Sequence, residues 1–132
     1  APAWASPLVR QRWAQLVIDA AALKYTRYRN LTRQLRGEPP GPEGSILKLF
    51  GSEASQAASL AMLEVLGPDT LDPTRRIAPP HPLHGQYDTT SWWDLYLRSF
   101  SGTIAGGTSQ IQRNIVAERL LGLPKEPAWT SS

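Results

Sequence analysis

Residues 8–36 read LVRQRWAQLVIDAAALKYTRYRNLTRQLR, and their spacing decides the fold class. Trp13, Leu16, Val17, Ala20, Leu23, Tyr28, Leu31 and Leu35 recur at intervals of three and four, the period of an α-helix rather than the alternation of a strand. One long amphipathic helix from Leu8 to Arg36 is predicted. Gly37 supplies its stop, and Pro39, Pro40 and Pro42 forbid continuation.

The same period returns downstream. A second helix is predicted from about Pro42 to Leu66, with Ile46, Leu49, Phe50, Ala57, Leu60, Ala61 and Val65 on its inner side and many alanines that allow close helix approach. Gly67-Pro68 ends it. From Asp69 to Thr90 periodicity dissolves among Pro73, Pro79, Pro80 and Pro82, so a long proline-rich loop is expected, one that packs against something else. Thr90 or Ser91 can cap a third, shorter helix through Trp92, Trp93, Leu95, Tyr96 and Leu97. The fourth begins near Thr108, is expected to bury Ile111, Ile115, Val116, Leu120 and Leu121, and stops at Gly122 before Pro124. There is no period-2 strand, sequence repeat or low-complexity tract. The expectation is an all-α, four-helix up-and-down bundle forming a single domain over residues 1–132.

Composition narrows the chemistry. The 132 residues hold no cysteine, which excludes disulfides, thiolate nucleophiles and cysteine-based zinc sites and suits a reducing cytoplasm. No apolar run approaches the roughly 20 residues that span a bilayer, and the N-terminus lacks a signal-peptide core. The chain starts at Ala1 rather than Met, in the approach to a helix, so a piece of a longer protein is expected. Its net charge of +3 is unevenly spread. Arg10, Arg12, Lys24, Arg27, Arg29, Arg33 and Arg36 share the first helix with a single acid, Asp19. That face reads as a nucleic-acid or CoA-phosphate surface, as a solvated face, or as one that meets acidic groups elsewhere.

Few residues could carry chemistry. His81 and His84 could place two imidazoles on one metal, but two ligands in a proline-rich loop, with only Asp88 nearby, do not make a site, and no metal is expected. There is no nucleophile elbow, Walker loop or dinucleotide fingerprint. Trp92 and Trp93 point about 100° apart on a helix, so one faces the core while the other covers a ligand or subunit contact, unless both seal the bundle against the loop.

Residues 104–124, IAGGTSQIQRNIVAERLLGLP, differ in kind. Gly106 and Gly107 allow a sharp bend or close approach to a ligand, and Thr108 and Ser109 can cap the helix that follows, which makes an anion-tolerant helix entry. Physically this is either an ordinary capped helix after a turn or a ligand site.

The string GGTSQIQRNIVAERLLGLP, together with PEGSILKLFGSEASQAASLAMLEVLG and the long first helix, resembles the C-terminal helical domain of the acyl-CoA dehydrogenases over nearly the whole chain. The resemblance implies FAD held between this bundle and a middle β domain, its adenine half reaching a neighbouring subunit. By motif match Thr108 and Gln110 would meet the flavin cofactor, with Gly107 beside them and Ile104 near the ring system. The family's Arg-x-x-Phe-Gly segment, another FAD contact, would precede Ala1.

In that family a carboxylate removes the α-proton of an acyl-CoA thioester while hydride passes from the β-carbon to the flavin. The base's usual position is held here by Gly106, so no catalytic residue is assigned in this chain. Glu118 lies about three helical turns further on and does not substitute. Either the base sits on an earlier helix, or the full protein is the base-less partner of a two-subunit enzyme. The wording TIAGGTSQIQRNIVAERLLGLP resembles an actinobacterial group that handles steroid side chains. One departure lies in MLEVLGPDTL, where most relatives have a paired-glycine turn touching the FAD pyrophosphate: Gly67 keeps one glycine and Pro68 removes a backbone N–H.

The resemblance thus implies flavin-dependent α,β-dehydrogenation of an acyl-CoA by the full protein. Its partners would be an electron-transfer acceptor and further subunits in a homo- or hetero-oligomeric dimer or tetramer, without nucleic acid or membrane. This stretch alone is expected to be inactive and to release FAD. The alternatives are a catalytically silent scaffold subunit and a non-enzymatic basic helical module.

Overall fold

Proline at the first helical position and glycine just past the last one frame the longest element. In the computed structural model, which describes residues 5–39, 41–72 and 91–125, α1 runs Pro7–Leu35 with Pro7 at its start. Pro costs nothing there, since that N–H has no helical partner. The end is a Schellman turn: Gly37 adopts φ 75°, its N–H reaches Gln34 O at 2.9 Å, and Glu38 N–H reaches Arg33 O at 3.1 Å.

The other helices follow as α2 (Glu43–Leu66), α3 (Trp92–Ile104) and α4 (Ser109–Ile115), the last extended by a π-helical turn, Val116–Leu120. No strand occurs among the described residues. The all-α, four-helix reading is therefore correct.

α2 is the hub, touching each of the other three helices. α1 lies antiparallel to it, with Arg12 paired to Glu64 at one end and Arg33 to Glu43 at the other. The guanidinium of Arg33 is held above its ordinary pKa by its hydrogen bond to Glu38, at 2.7 Å, and next by the charge of Glu43. Small residues let the axes approach. A Cβ on Gly51 would stand 3.8 Å from Leu23, and a groove of about 220 Å³ between the helices is floored by Gly51, Ala54, Ser55 and Ala58. α3 returns along α2 with Gly102 against Ser52, where a Cβ would sit 3.4 Å from the serine's own.

Only a narrow stripe of α1 faces α2, through Trp13, Leu16, Leu23 and their neighbours. Val17, Tyr28, Leu31 and Leu35 point away, Val17 at 65% and Leu35 at 79% exposure. Lys24 sits among them with its ammonium 5.8 Å from the Tyr28 ring centre. The α1 pattern therefore comprises two faces, one spent on α2 and one open.

Some expected inner positions lie elsewhere. Ala57 is exposed, and the side-chain ties from the α4 segment to α2 fall at Lys48 and Glu53, in the first half of that helix. On α4, Ile111, Leu120 and Leu121 are exposed, Ile115 and Val116 half-buried, and Ser109 and Gln112 buried instead. Two causes act: a polar turn draws Gln112 inward, and the π turn, with Leu121 N–H bonded to Val116 O, rotates the final leucines off the packed face.

Past α2 the chain does not open straight into loop. Gly67–Leu71 forms a 3₁₀ turn in which Thr70 is buried and its hydroxyl donates to Gly67 O at 2.8 Å. Pro68 fits the first turn, where its missing N–H has no partner to lose. The rest of the proline-rich loop, with His81, His84 and Asp88, lies outside the described residues. Among the described residues no cluster of potential metal ligands occurs.

Ser91, one of the two expected caps, caps α3, accepting the Asp94 N–H at 3.1 Å while its hydroxyl donates to the Asp94 carboxylate at 2.8 Å. Of the adjacent tryptophans, Trp92 is half-buried and Trp93 exposed. Trp93, Tyr96 and Phe100 form a ladder of ring contacts at 6.2 and 5.2 Å.

Candidate functional site

The turn between α3 and α4 is built from two left-handed glycines. Gly106 has φ 67° and Gly107 φ 94°, a region that costs other L-residues about 1–2 kcal/mol. Their surroundings differ. A Cβ on Gly106 would meet nothing within 4 Å, whereas one on Gly107 would stand 2.7 Å from the Gln112 amide nitrogen. Gly106 thus opens outward and Gly107 closes over Gln112.

Three side chains fix this shape. Thr108 caps α4, its hydroxyl oxygen accepting the Ile111 N–H at 3.3 Å. Gln112, 6% exposed, donates from its side-chain amide to Gly106 O at 2.9 Å. Lys48, from α2, donates its ammonium to Gly107 O. Arg113 adds a second tie to α2 through Glu53 at 2.6 Å.

The predicted residues share this one element. Gly106, Gly107 and Thr108 form the turn and the cap of α4, and Gln110 follows as the second residue of that helix, exposed. Ile104 ends α3 at 65% exposure. Ser109, expected as a second cap, is instead buried at 8% exposure with no hydrogen-bond partner for its hydroxyl. Lys48 and Gln112 were not singled out from sequence. Gln112 lies inside the quoted motif, and Lys48 is the lone cation in SILKLF, where a charge between apolar residues signals a dedicated acceptor.

Among the described residues, neither Glu118 nor Glu53, the acids on and beside the α4 segment, stands in for a side chain at Gly106. Glu118 belongs to the π turn, with Lys125 3.9 Å away, and Glu53 is held by Arg113. As built, the turn presents backbone and hydroxyl groups beside an uncrowded glycine, a surface suited to contact rather than to proton transfer.

A family model described as acyl-CoA dehydrogenase, C-terminal domain, matches residues 1–121. The chain belongs to the acyl-CoA dehydrogenase family. It is 33% identical over 121 residues to the acyl-CoA dehydrogenase IpdE1 of Mycolicibacterium smegmatis, covering 91% of this chain and 26% of that protein. It is 34% identical over 110 residues to the acyl-CoA dehydrogenase FadE34 of Mycobacterium tuberculosis, covering 83% of this chain and 13% of the relative. Acyl-CoA dehydrogenase FadE26 of the same organism is 30% identical over 126 residues, covering 89% and 30%. The chain therefore spans under a third of the length of these acyl-CoA dehydrogenases, over the part the family model describes as C-terminal. No solved structure matches it.

Proposed function

We propose that the chain is the C-terminal helical domain of a longer FAD-dependent acyl-CoA dehydrogenase and forms one wall of the flavin site together with an oligomer interface. The observation that carries the reading is the turn at Gly106–Gly107. It combines left-handed glycines, open space at Gly106 and a hydroxyl-capped helix start in the part of the sequence that matches the family motif. The open space at Gly106 and the left-handed backbone of both glycines suit close approach of a large planar cofactor.

In this reading Thr108 and Gln110 hold FAD, Gly107 lets the backbone come near, and Ile104 offers apolar surface beside the ring. Bound FAD would supply the hydride acceptor for α,β-dehydrogenation of an acyl-CoA. The chain's own residues orient the cofactor and exclude water. They do not remove the α-proton, since Gly106 leaves the usual base position without a carboxylate; the base then belongs to an earlier helix or to a partner subunit. The likeness to FadE26, FadE34 and IpdE1 supports acyl-CoA chemistry of this family's kind, and the steroid side chains of the sequence reading are the substrate class we favour. A cytoplasmic location is part of the same proposal, supported by the lack of cysteine and by the absence, among the described residues, of a helix long and apolar enough to cross a membrane.

The exposed seam of α1 supports the interface. Val17, Ala21, Lys24, Tyr28, Leu31 and Leu35 are spaced by four and three, the repeat of a helix that packs on another helix. Arg12 and Arg33 are engaged by carboxylates, which counts against a nucleic-acid surface on this helix.

The test is purification of the complete natural polypeptide that carries these residues, with its partner subunit if it has one. Flavin absorbance and acceptor reduction with an acyl-CoA are the expected result. A flavin-free protein that never binds added FAD contradicts the reading.

A further inference from the structure

We infer that Lys48 is a positioning residue for the flavin-facing turn, acting with Gln112 as a two-sided clamp on the carbonyls of Gly106 and Gly107. The inference rests on the flavin-wall reading above and names what holds that wall in shape.

The turn is intrinsically flexible. Two successive glycines have no side chains to restrict them, so their left-handed conformations persist only where the surroundings impose them. Each glycine carbonyl is captured by a different side chain. Gln112 reaches back from α4 to Gly106 O at 2.9 Å, and Lys48 reaches across from α2 to Gly107 O. The first contact closes the turn on itself. The second fixes it to the central helix, so Lys48 sets where the turn stands relative to the rest of the bundle.

The chemistry of the second contact is specific. Lys48 is half-buried, and its ammonium donates to a neutral peptide carbonyl. A charged donor on that carbonyl makes a stronger bond than a neutral one would. It also places a positive charge beside a helix start that already carries partial positive charge, an arrangement unfavourable by itself. Simple docking of α4 does not need it, because Arg113 and Glu53 already join α4 to α2 with opposite charges. What Lys48 adds is orientation of the Gly107–Thr108 peptide, and with it the direction in which the Thr108 N–H points, while Gln112 does the same for the Gly107 N–H through the Gly106 carbonyl.

The test uses Lys48→Met, which keeps the stem and removes the charge and donors, and Lys48→Arg, which keeps both, in the complete natural polypeptide. FAD dissociation constants, the flavin absorbance spectrum and amide hydrogen exchange over residues 104–112 of the flavin-free protein are measured together. Lys48→Met is expected to weaken FAD binding by about tenfold, the value of one charge-assisted hydrogen bond, to shift the flavin spectrum, and to speed exchange in the turn. Lys48→Arg is expected to restore most of each. Gln112→Glu, which replaces the amide donor, provides a second variant should Lys48→Met fail to fold, and is expected to shift the spectrum in the same way.

FAD affinity and spectrum unchanged in Lys48→Met, in a wild type that binds FAD, overturn the role of Lys48 and leave the flavin-wall reading standing. A wild type that binds no FAD overturns both. Unchanged exchange over residues 104–112 in Lys48→Met removes the clamp itself, whatever the flavin does.

Discussion

The side-chain amide of Gln112 donates to the carbonyl oxygen of Gly106 at 2.9 Å, so the motif's second glutamine closes the turn that its first glycine opens. A Cβ at the intervening Gly107 would strike that amide at 2.7 Å. The turn is therefore a small polar core within a helical bundle.

The two glycines should respond differently to alanine. Gly106→Ala meets no atom and is expected to cost about 1–2 kcal/mol, the penalty of a left-handed alanine. Gly107→Ala carries the same penalty and displaces Gln112, which adds about 1 kcal/mol for the lost hydrogen bond. Urea denaturation of both variants tests the order; equal losses contradict the close fit around Gln112.

Gln112→Leu keeps the bulk but leaves Gly106 O without its side-chain partner. A loss of about 1–3 kcal/mol is expected, read from the denaturation midpoint. A fully stable Gln112→Leu variant would mean that the buried amide contributes packing alone.

Ser109→Ala should go the other way. The hydroxyl is buried without a partner, so removing it is expected to be neutral or to raise Tm. A clear fall in Tm would show that the hydroxyl is bonded in solution, to water or to another subunit.

The open seam of α1 predicts self-association of the chain that persists at high salt, because apolar contacts are not screened. Val17→Lys with Leu31→Lys should yield monomers by sedimentation velocity while leaving helix content unchanged, since neither residue faces α2. Association of wild-type chain that disappears with added salt would instead assign the contact to the basic residues.

Much of the fold was legible because its signals are local. The helical period of α1, its Gly37 stop and the small residues of α2 each act within a turn or two of sequence. The inner face of α4 was not, because periodicity assigns apolar residues to the core by default. Here the carbonyls of a glycine turn drew Gln112 inward, and a π turn, which no Gly or Pro announces within Val116–Leu120, redirected Leu120 and Leu121. The Gly106–Gln110 stretch was visible as a candidate site, but its supports were hidden. Lys48 lies fifty-nine positions from Gly107 in the chain, and only tertiary packing brings them together.

The central claim is that the start of α4 contacts FAD, and Gln110 tests it most directly. Its side chain is exposed, so Gln110→Ala should leave Tm unchanged, unlike any change at Thr108, which caps the helix. FAD titration of the complete natural polypeptide and of its Gln110→Ala variant is the measurement. Wild type is expected to bind FAD and the variant to bind it about tenfold more weakly, the worth of a lost contact of about 1.4 kcal/mol. Equal affinity in the two, at equal Tm, would contradict that claim.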